Sequence, residues 1–178
     1  DHRYLHSFPT RRSSDLIDGA KDVAIELNSL SKSHNMPGWR VGMVAGKSEL
    51  ISAILKVKSN MDSGMFYPVQ VAAAEALSAD TEWYNSLNAV YSGRRLKAEQ
   101  MMELLGCNYD KSQTGLFLWG EIPENIKNGQ QMCDKLLYEK SIFITPGSVF
   151  GKEGERYIRI SLCSDEKTFD ICLSRIKQ

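Results

Sequence analysis

Apolar residues recur along the chain with two periods, and the switches between them mark out the elements. Val23–Asn28 (VAIELN) alternates and is rich in β-prone residues, which predicts a short strand. The following stretch, SLSKSHNMPGW, is dense in Ser, Asn, Pro and Gly and predicts a loop. Arg40–Ala45 (RVGMVA) predicts a second, buried strand. From Lys47 to Asn60, Leu50, Ile51, Ile54, Leu55 and Val57 form a helical stripe, with Ser48 as its candidate cap. Pro68 suits the first turn of an alanine-dominated helix, PVQVAAAEALSA. Asp80 or Thr81 then caps a long helix that runs to about Leu105 and is ended by Gly106. Its predicted apolar stripe is Trp83, Leu87, Val90, Leu96, Met101 and Leu105.

Beyond Gly106 the texture changes. The pattern predicts a strand at Leu116–Gly120, a helix at Gly129–Glu139 and a strand at Ser141–Thr145. A PGSVFG loop, a strand at Arg156–Leu162 and a final helix at Asp165–Ile176 complete it. This is a small α+β unit of its own, and the boundary is expected within the long helix, in the stretch 80–105.

Composition narrows the function classes. Hydrophobic residues are 42% and charged residues 25%, the mixture of an ordinary soluble globular protein. The formal net charge is zero, which implies no broad attraction to nucleic acid or to an anionic membrane. No apolar run approaches the length that spans a bilayer. Cys107, Cys133, Cys163 and Cys172 form no CxxC pair, and their spacing suits neither a zinc site nor a disulfide framework. With His2, His6 and His34 as the only histidines, no metal centre is expected, and scattered thiols point to a reducing, cytoplasmic setting.

The segment Ser29-Leu30-Ser31-Lys32-Ser33-His34-Asn35-Met36-Pro37-Gly38-Trp39-Arg40-Val41-Gly42 carries the candidate chemistry. An amine that condenses with an aldehyde must lose its proton, and partial burial and a nearby cation both favour that. Arg40 is a candidate for the cation, and its planar fork also suits a phosphate. The hydroxyls of Ser29 and Ser31 can donate to the same anion. Gly38 and Gly42 are expected where backbone must approach closely. An isolated Lys and Arg in a loop would more often be a solvated lysine and a surface ion-pair partner.

This segment resembles the signature of the class I/II aminotransferases, the pyridoxal-phosphate (PLP) enzymes of fold type I. The signature has small, apolar and small residues before the cofactor lysine, then an arginine eight positions later, an apolar residue and a glycine. The resemblance implies that Lys32 holds PLP as a Schiff base and then carries the proton at the substrate α-carbon. It implies that Ser29, Ser31 and Arg40 bind the cofactor phosphate. A second segment, Pro146-Gly147-Ser148-Val149-Phe150-Gly151 with Glu155-Arg156-Tyr157-Ile158-Arg159-Ile160-Ser161-Leu162, resembles the family stretch whose arginine grips the substrate α-carboxylate. Arg159 falls at that position. By alternation Tyr157, Arg159 and Ser161 share one face of the strand and Ile158, Ile160 and Leu162 the other, and Arg156 reads as a solvated charge. Ser63 and Tyr67 are weaker candidates for approach to a neighbouring subunit's site, against an ordinary loop with Phe66 and Tyr67 packed in a core or interface.

The resemblance covers essentially all of residues 17–178. It implies an α/β fold: residues 17–80 as the end of the large mixed-sheet PLP domain, and 81–178 as the interdomain helix and the small C-terminal α+β domain. It implies a transaminase moving an amino group from an amino acid to a 2-oxo acid, a homodimer in the full-length protein. The family's partner to the cofactor ring nitrogen and its stacking aromatic lie upstream of these motifs, and Asp18 and Asp22 are too near Lys32 to replace them. The 178-residue chain is therefore expected to be inactive by itself, with open strand edges and uncovered apolar faces. An aminotransferase-like ligand-sensing domain of a transcription regulator would share these features. A serine acyltransferase reading of Ser29-x-x-Lys32 needs a helix that Pro37-Gly38 breaks and a KTG that does not follow.

Residues 1–16 (DHRYLHSFPTRRSSDL) lack hydrophobic periodicity and the apolar core of a signal peptide. HSFPTRRSSDL looks like a translated synthetic sequencing adapter. The segment is expected to be extraneous, with natural sequence continuing upstream of Ile17.

Overall fold

The computed structural model describes residues 17–178, and the expected adapter segment 1–16 lies outside the described residues. The chain divides into two compact units, one ending at Thr81 and one running from Glu82 to Gln178.

In the first unit a short helix α1 (Ala20–Val23) precedes strand β1 (Ile25–Ser29), which pairs antiparallel with β2 (Gly42–Gly46). The register joins Ile25 to Gly46 and Ser29 to Gly42. Between the strands, the stretch expected as loop holds one helical turn, α2 (Leu30–Ser33), and a 3-10 turn at Pro37–Trp39. Ser29 explains the helical turn: extended at φ −120°, it caps α2 by accepting from the Ser31 amide at 3.2 Å. Helices α3 (Ser48–Met61) and α4 (Tyr67–Leu77) follow, with Pro68 in the first turn of α4. Ser48 is not the cap of α3. Lys47 holds the cap position without a side-chain bond, and the Ser48 hydroxyl turns to the Glu49 carboxylate at 3.2 Å.

The core of this unit is small: Leu30, Val41 and Ala73, with Met36 and Val69 against them. Leu27, Leu55, Val57, Met61, Phe66 and Tyr67 are all exposed. Phe66 and Tyr67 therefore pack in no core among the described residues. As a two-stranded sheet, β1 and β2 each keep one unpaired edge among the described residues, as expected for apolar faces left uncovered.

The second unit is built on the long helix α5 (Thr81–Leu104) and a three-stranded antiparallel sheet of order β3-β5-β4. The strands are β3 (Phe117–Glu121), β4 (Thr145–Pro146) and β5 (Tyr157–Ser161). Helices α6 (Gly129–Lys140) and α7 (Glu166–Lys177) complete it, with Asn128 and Asp165 as side-chain caps. Leu118, Ile158 and Ile160 on the inner face of the sheet pack with Ala98, Met101 and Met102 of α5. Met132 and Leu136 of α6 and Phe169 and Leu173 of α7 close the same core.

Three expectations change here. The buried stripe of α5 runs Tyr91, Arg95, Ala98, Met101 and Met102; of the expected stripe Met101 is buried and Leu87 and Leu105 pack against the core, while Trp83, Val90 and Leu96 are exposed. Leu96 lies out of phase with a 3.6-residue stripe through Tyr91 and Ala98, and the core selects the face that includes alanine. The strand expected at Ser141–Thr145 pairs only at Thr145 and Pro146. Its first residues stay tied to α6, because the Ser141 amide donates to Leu137 O and the Ile142 amide to Leu136 O. Arg156 is no solvated charge: it donates to the carbonyls of Ile126 at 2.8 Å and Ile122 at 2.9 Å, fastening the β3–α6 connection to the start of β5.

Gly106 ends α5 with φ +69°, as its position after the apolar stripe predicts. The amide of Cys107 reaches back to Met102 O and that of Gly106 to Glu103 O, which satisfies two terminal carbonyls.

All four cysteines are free thiols. Burial pushes the Cys107 thiol up to about 11, and burial with the Asp134 charge pushes Cys133 up to about 12. The thiolate is the nucleophile, so alkylation at pH 8 should label exposed Cys163 and leave Cys107 and Cys133 slower by more than about a hundredfold. Peptide mapping after brief labelling checks this. Equal labelling of Cys107 in the native protein would contradict the packing of α5 on β3.

Candidate functional site

Lys32 stands on α2, between the paired ends of β1 and β2. The Leu30 amide donates to Val41 O at 3.2 Å, and Leu30 is 2% exposed, so the turn is rooted in the small core. The Lys32 side chain leaves the opposite side of the turn and is exposed. No described residue hydrogen-bonds or ion-pairs with its amine.

The hydroxyls expected beside it are there. Ser29 Oγ lies 3.0 Å from Ser31 Oγ and also accepts from the Ser31 amide. Both side chains sit where β1 passes into α2, at the end of the ribbon that also bears Lys32. Arg40 lies two residues before Gly42, the partner of Ser29. It adopts a left-handed backbone conformation, φ 52° and ψ 43°, which a non-glycine residue adopts only at a cost. One guanidinium nitrogen, Nη1, donates to Pro37 O at 2.9 Å; the exposed side chain keeps its other N–H groups for an anion. Gly42 meets its expectation: a Cβ there would come within 2.5 Å of Asn28 O across the ribbon. Gly38 does not, since a Cβ there would meet open space.

Ser33 and His34 were not singled out as site residues, yet both are buried polar groups beside Lys32. Ser33 Oγ lies 3.2 Å from Ser29 O and 2.9 Å from His34 Nδ1, and the imidazole also bonds the Ala76 carbonyl. Burial lowers the pKa of His34 and favours the neutral ring, against the smaller opposing effect of the Ala76 bond. The signal in the sequence was a polar Ser-His pair inside a turn that begins with a core leucine.

Arg159 belongs to the second unit. It lies on the outer face of the sheet, opposite Trp119 on one side and Thr145 on the other. Its guanidinium carbon is 4.1 Å from the centre of the Phe117 ring and 4.4 Å from that of Phe150. Trp119 packs edge-on against Phe150 at 5.2 Å. Contact with both rings is a cation–π arrangement and restricts the rotamers of the side chain before any ligand arrives. Its buried Nε has no hydrogen-bond partner, and no described carboxylate pairs with it. Ile158, Ile160 and Leu162 are buried on the other face, as alternation requires.

Ser63 and Tyr67 are exposed before and at the start of α4, with nothing in their surroundings that marks a site. A cleft of about 420 Å³ in the second unit is lined by Asn108, Asp110, Gln113, Trp119, Glu121 and Tyr157, among others. Its polar groups are occupied internally. Asp110 accepts from the Ser112 amide and hydroxyl, and Gln113 bonds the free edge of β3 through both Trp119 N and Trp119 O. It includes neither Lys32 nor Arg159, and we assign it no chemistry.

A family model described as aminotransferase class I and II matches residues 7–176, reaching into the first sixteen residues. LL-diaminopimelate aminotransferase of Maridesulfovibrio salexigens is 38% identical over 160 residues, covering 90% of this chain and 41% of that protein. An aminotransferase from Staphylococcus aureus superposes with a TM-score of 0.78 at 36% identity, covering 89% of this chain and 42% of the other. An aromatic aminotransferase from Pyrococcus horikoshii gives 0.83 at 26% identity, covering 98% and 48%. The chain thus spans about two fifths of the length of the curated relatives it matches.

Proposed function

The chain belongs to the class I and II aminotransferase family, and from that premise we propose that the protein moves an amino group from an amino acid to a 2-oxo acid with PLP as cofactor. The observation that carries this reading is the gathering of Lys32, Ser29, Ser31 and Arg40 around one end of the β1–β2 ribbon. The donor set fits the group: an amine without a partner among the described residues, two hydroxyls and a guanidinium with spare N–H groups suit an aldehyde that carries a phosphate.

PLP, when bound, supplies an electron sink for the carbanion formed at the substrate α-carbon. The residues of this chain would supply the rest. Ser29 and Ser31 would donate hydroxyl hydrogen bonds to the phosphate, and Arg40 would pair with its charge. Lys32 would hold the cofactor through its Nζ, and the same amine would take the proton from the substrate α-carbon and return it. Arg159 binds the substrate carboxylate through the terminal N–H groups of its guanidinium fork. Its contacts with Phe117 and Phe150 restrict the side chain beforehand, so less rotamer freedom is lost on binding.

The relatives include diaminopimelate and aromatic aminotransferases, which differ in amino donor. A homodimer fits the exposed Leu27, Leu55, Phe66 and Tyr67, which further polypeptide would cover. No described helix is long and apolar enough to cross a membrane, in keeping with a cytoplasmic enzyme.

The test is amino-group exchange between an amino acid and a 2-oxo acid of different side chain, followed by mass spectrometry in the full-length protein. Transfer that depends on added PLP is the expected result. A full-length protein that binds PLP and yet transfers no amino group to any 2-oxo acid in a broad panel would overturn it.

A further inference from the structure

A four-residue helical turn has no stability of its own, because helix nucleation costs more than one turn of hydrogen bonds returns. The turn that bears Lys32 must therefore be held by tertiary contacts. One is apolar: Leu30 packs with Ala73 of α4 in the small core. Four residues on, His34 follows Leu30 on the same side of the turn, and its imidazole bonds the carbonyl of Ala76. Ala73 and Ala76 are one turn apart on α4. The Lys32 turn is thus laid against α4 at two points, one apolar and one polar.

The polar point accounts for two buried groups that would otherwise be costly. His34 is 5% exposed and Ser33 6%. With a neutral ring, Nδ1 accepts from the Ser33 hydroxyl at 2.9 Å, and the remaining nitrogen carries the proton to Ala76 O. The Ser33 hydroxyl has one proton, so it serves His34 Nδ1 and Ser29 O alternately. Ala76 lies in the last turn of α4; its carbonyl accepts from the Ala79 amide at 3.2 Å and has a second lone pair for the imidazole. Ser29, at the other end of this relay, is also the cap of the Lys32 turn.

We propose that His34 is a positioning residue for Lys32: the Ser33–His34–Ala76 relay ties the turn to the C-terminal end of α4 and sets where the Lys32 amine stands. It acts through the backbone and touches neither substrate nor cofactor. The proposal rests on the reading of Lys32 as the PLP lysine only for its functional consequence, and the anchoring is measurable without it.

The experiment compares His34→Phe, which fills the space without hydrogen bonds, with His34→Gln, whose amide can still donate to Ala76 O. Hydrogen exchange in the full chain without PLP reads the anchoring. The amides of residue 34 and Met36, both bonded to Leu30 O, should exchange roughly five- to tenfold faster in His34→Phe, with α5 amides unchanged. PLP affinity, followed by trapping the adduct on Lys32, should weaken by a similar factor. His34→Gln should restore both toward the parent values. Unchanged exchange at both amides in His34→Phe overturns the proposal. So does faster exchange with unaltered PLP affinity, which would leave His34 a purely structural residue, or a Gln variant no better than Phe. If the parent chain itself forms no adduct on Lys32, the reading of Lys32 fails, and the exchange measurement alone decides whether His34 anchors the turn.

Discussion

Lys32→Ala should abolish the visible absorption that PLP gives with the protein and the borohydride-stable adduct on the peptide spanning residues 29–40. The effect should be complete, because Lys32 is the only lysine between Lys21 and Lys47 and no other amine stands on the turn. Folding should be nearly untouched. The side chain is exposed and makes no hydrogen bond with a described residue, and such surface substitutions usually fall within about 0.5 kcal/mol. Loss of the adduct with an unchanged melting curve is thus the expected pair of results. An absorption band of parental intensity in the alanine variant would move the cofactor lysine elsewhere in the sequence.

Arg159→Lys should weaken substrate binding by roughly ten- to a hundredfold, the span expected when a charge-assisted fork to a carboxylate is replaced by a point charge. The aromatic surroundings sharpen this expectation. The planar guanidinium contacts both Phe117 and Phe150, each ring centre within 4.4 Å of its carbon. A tetrahedral ammonium is not held in one orientation by two flat faces. The change should appear in KM for both amino acid and 2-oxo acid in the full-length protein, since both carry the carboxylate. Stability should fall by no more than about 1–2 kcal/mol, the worth of the contacts with the two rings. An unaltered KM would remove Arg159 from the carboxylate site, and its stacking would then be purely structural.

Much of the candidate site was legible because its residues are close in the sequence. Ser29, Ser31, Lys32 and Arg40 fall within one strand-turn-strand connection, and antiparallel pairing of its ends brings them to one place. Strand and helix periods located β1, β2, β3, β5 and the helices α3 to α7 within a few residues, for the same local reason, and placed β4 too long by its first residues. The helical turn under Lys32 was less legible. A stretch rich in Ser, Asn and Pro signals a loop, while its cap at Ser29 acts over only two residues.

Chain order and local chemistry by themselves determined the family signature, the two periodicities, the end of α5 at Gly106 and the alternation that turns Arg159 away from the core. Tertiary structure decided whatever depends on distant partners. It chose the face of α5 that carries Tyr91 and Ala98 over Trp83, Val90 and Leu96, because only one stripe can meet the sheet. It set Arg156 on the carbonyls of Ile122 and Ile126 and stacked Arg159 on Phe117, more than forty residues away. It buried His34 against the end of α4. An arginine or histidine carries the same donors in any sequence context; burial and the carbonyls or rings brought to it by the fold determine what those donors do.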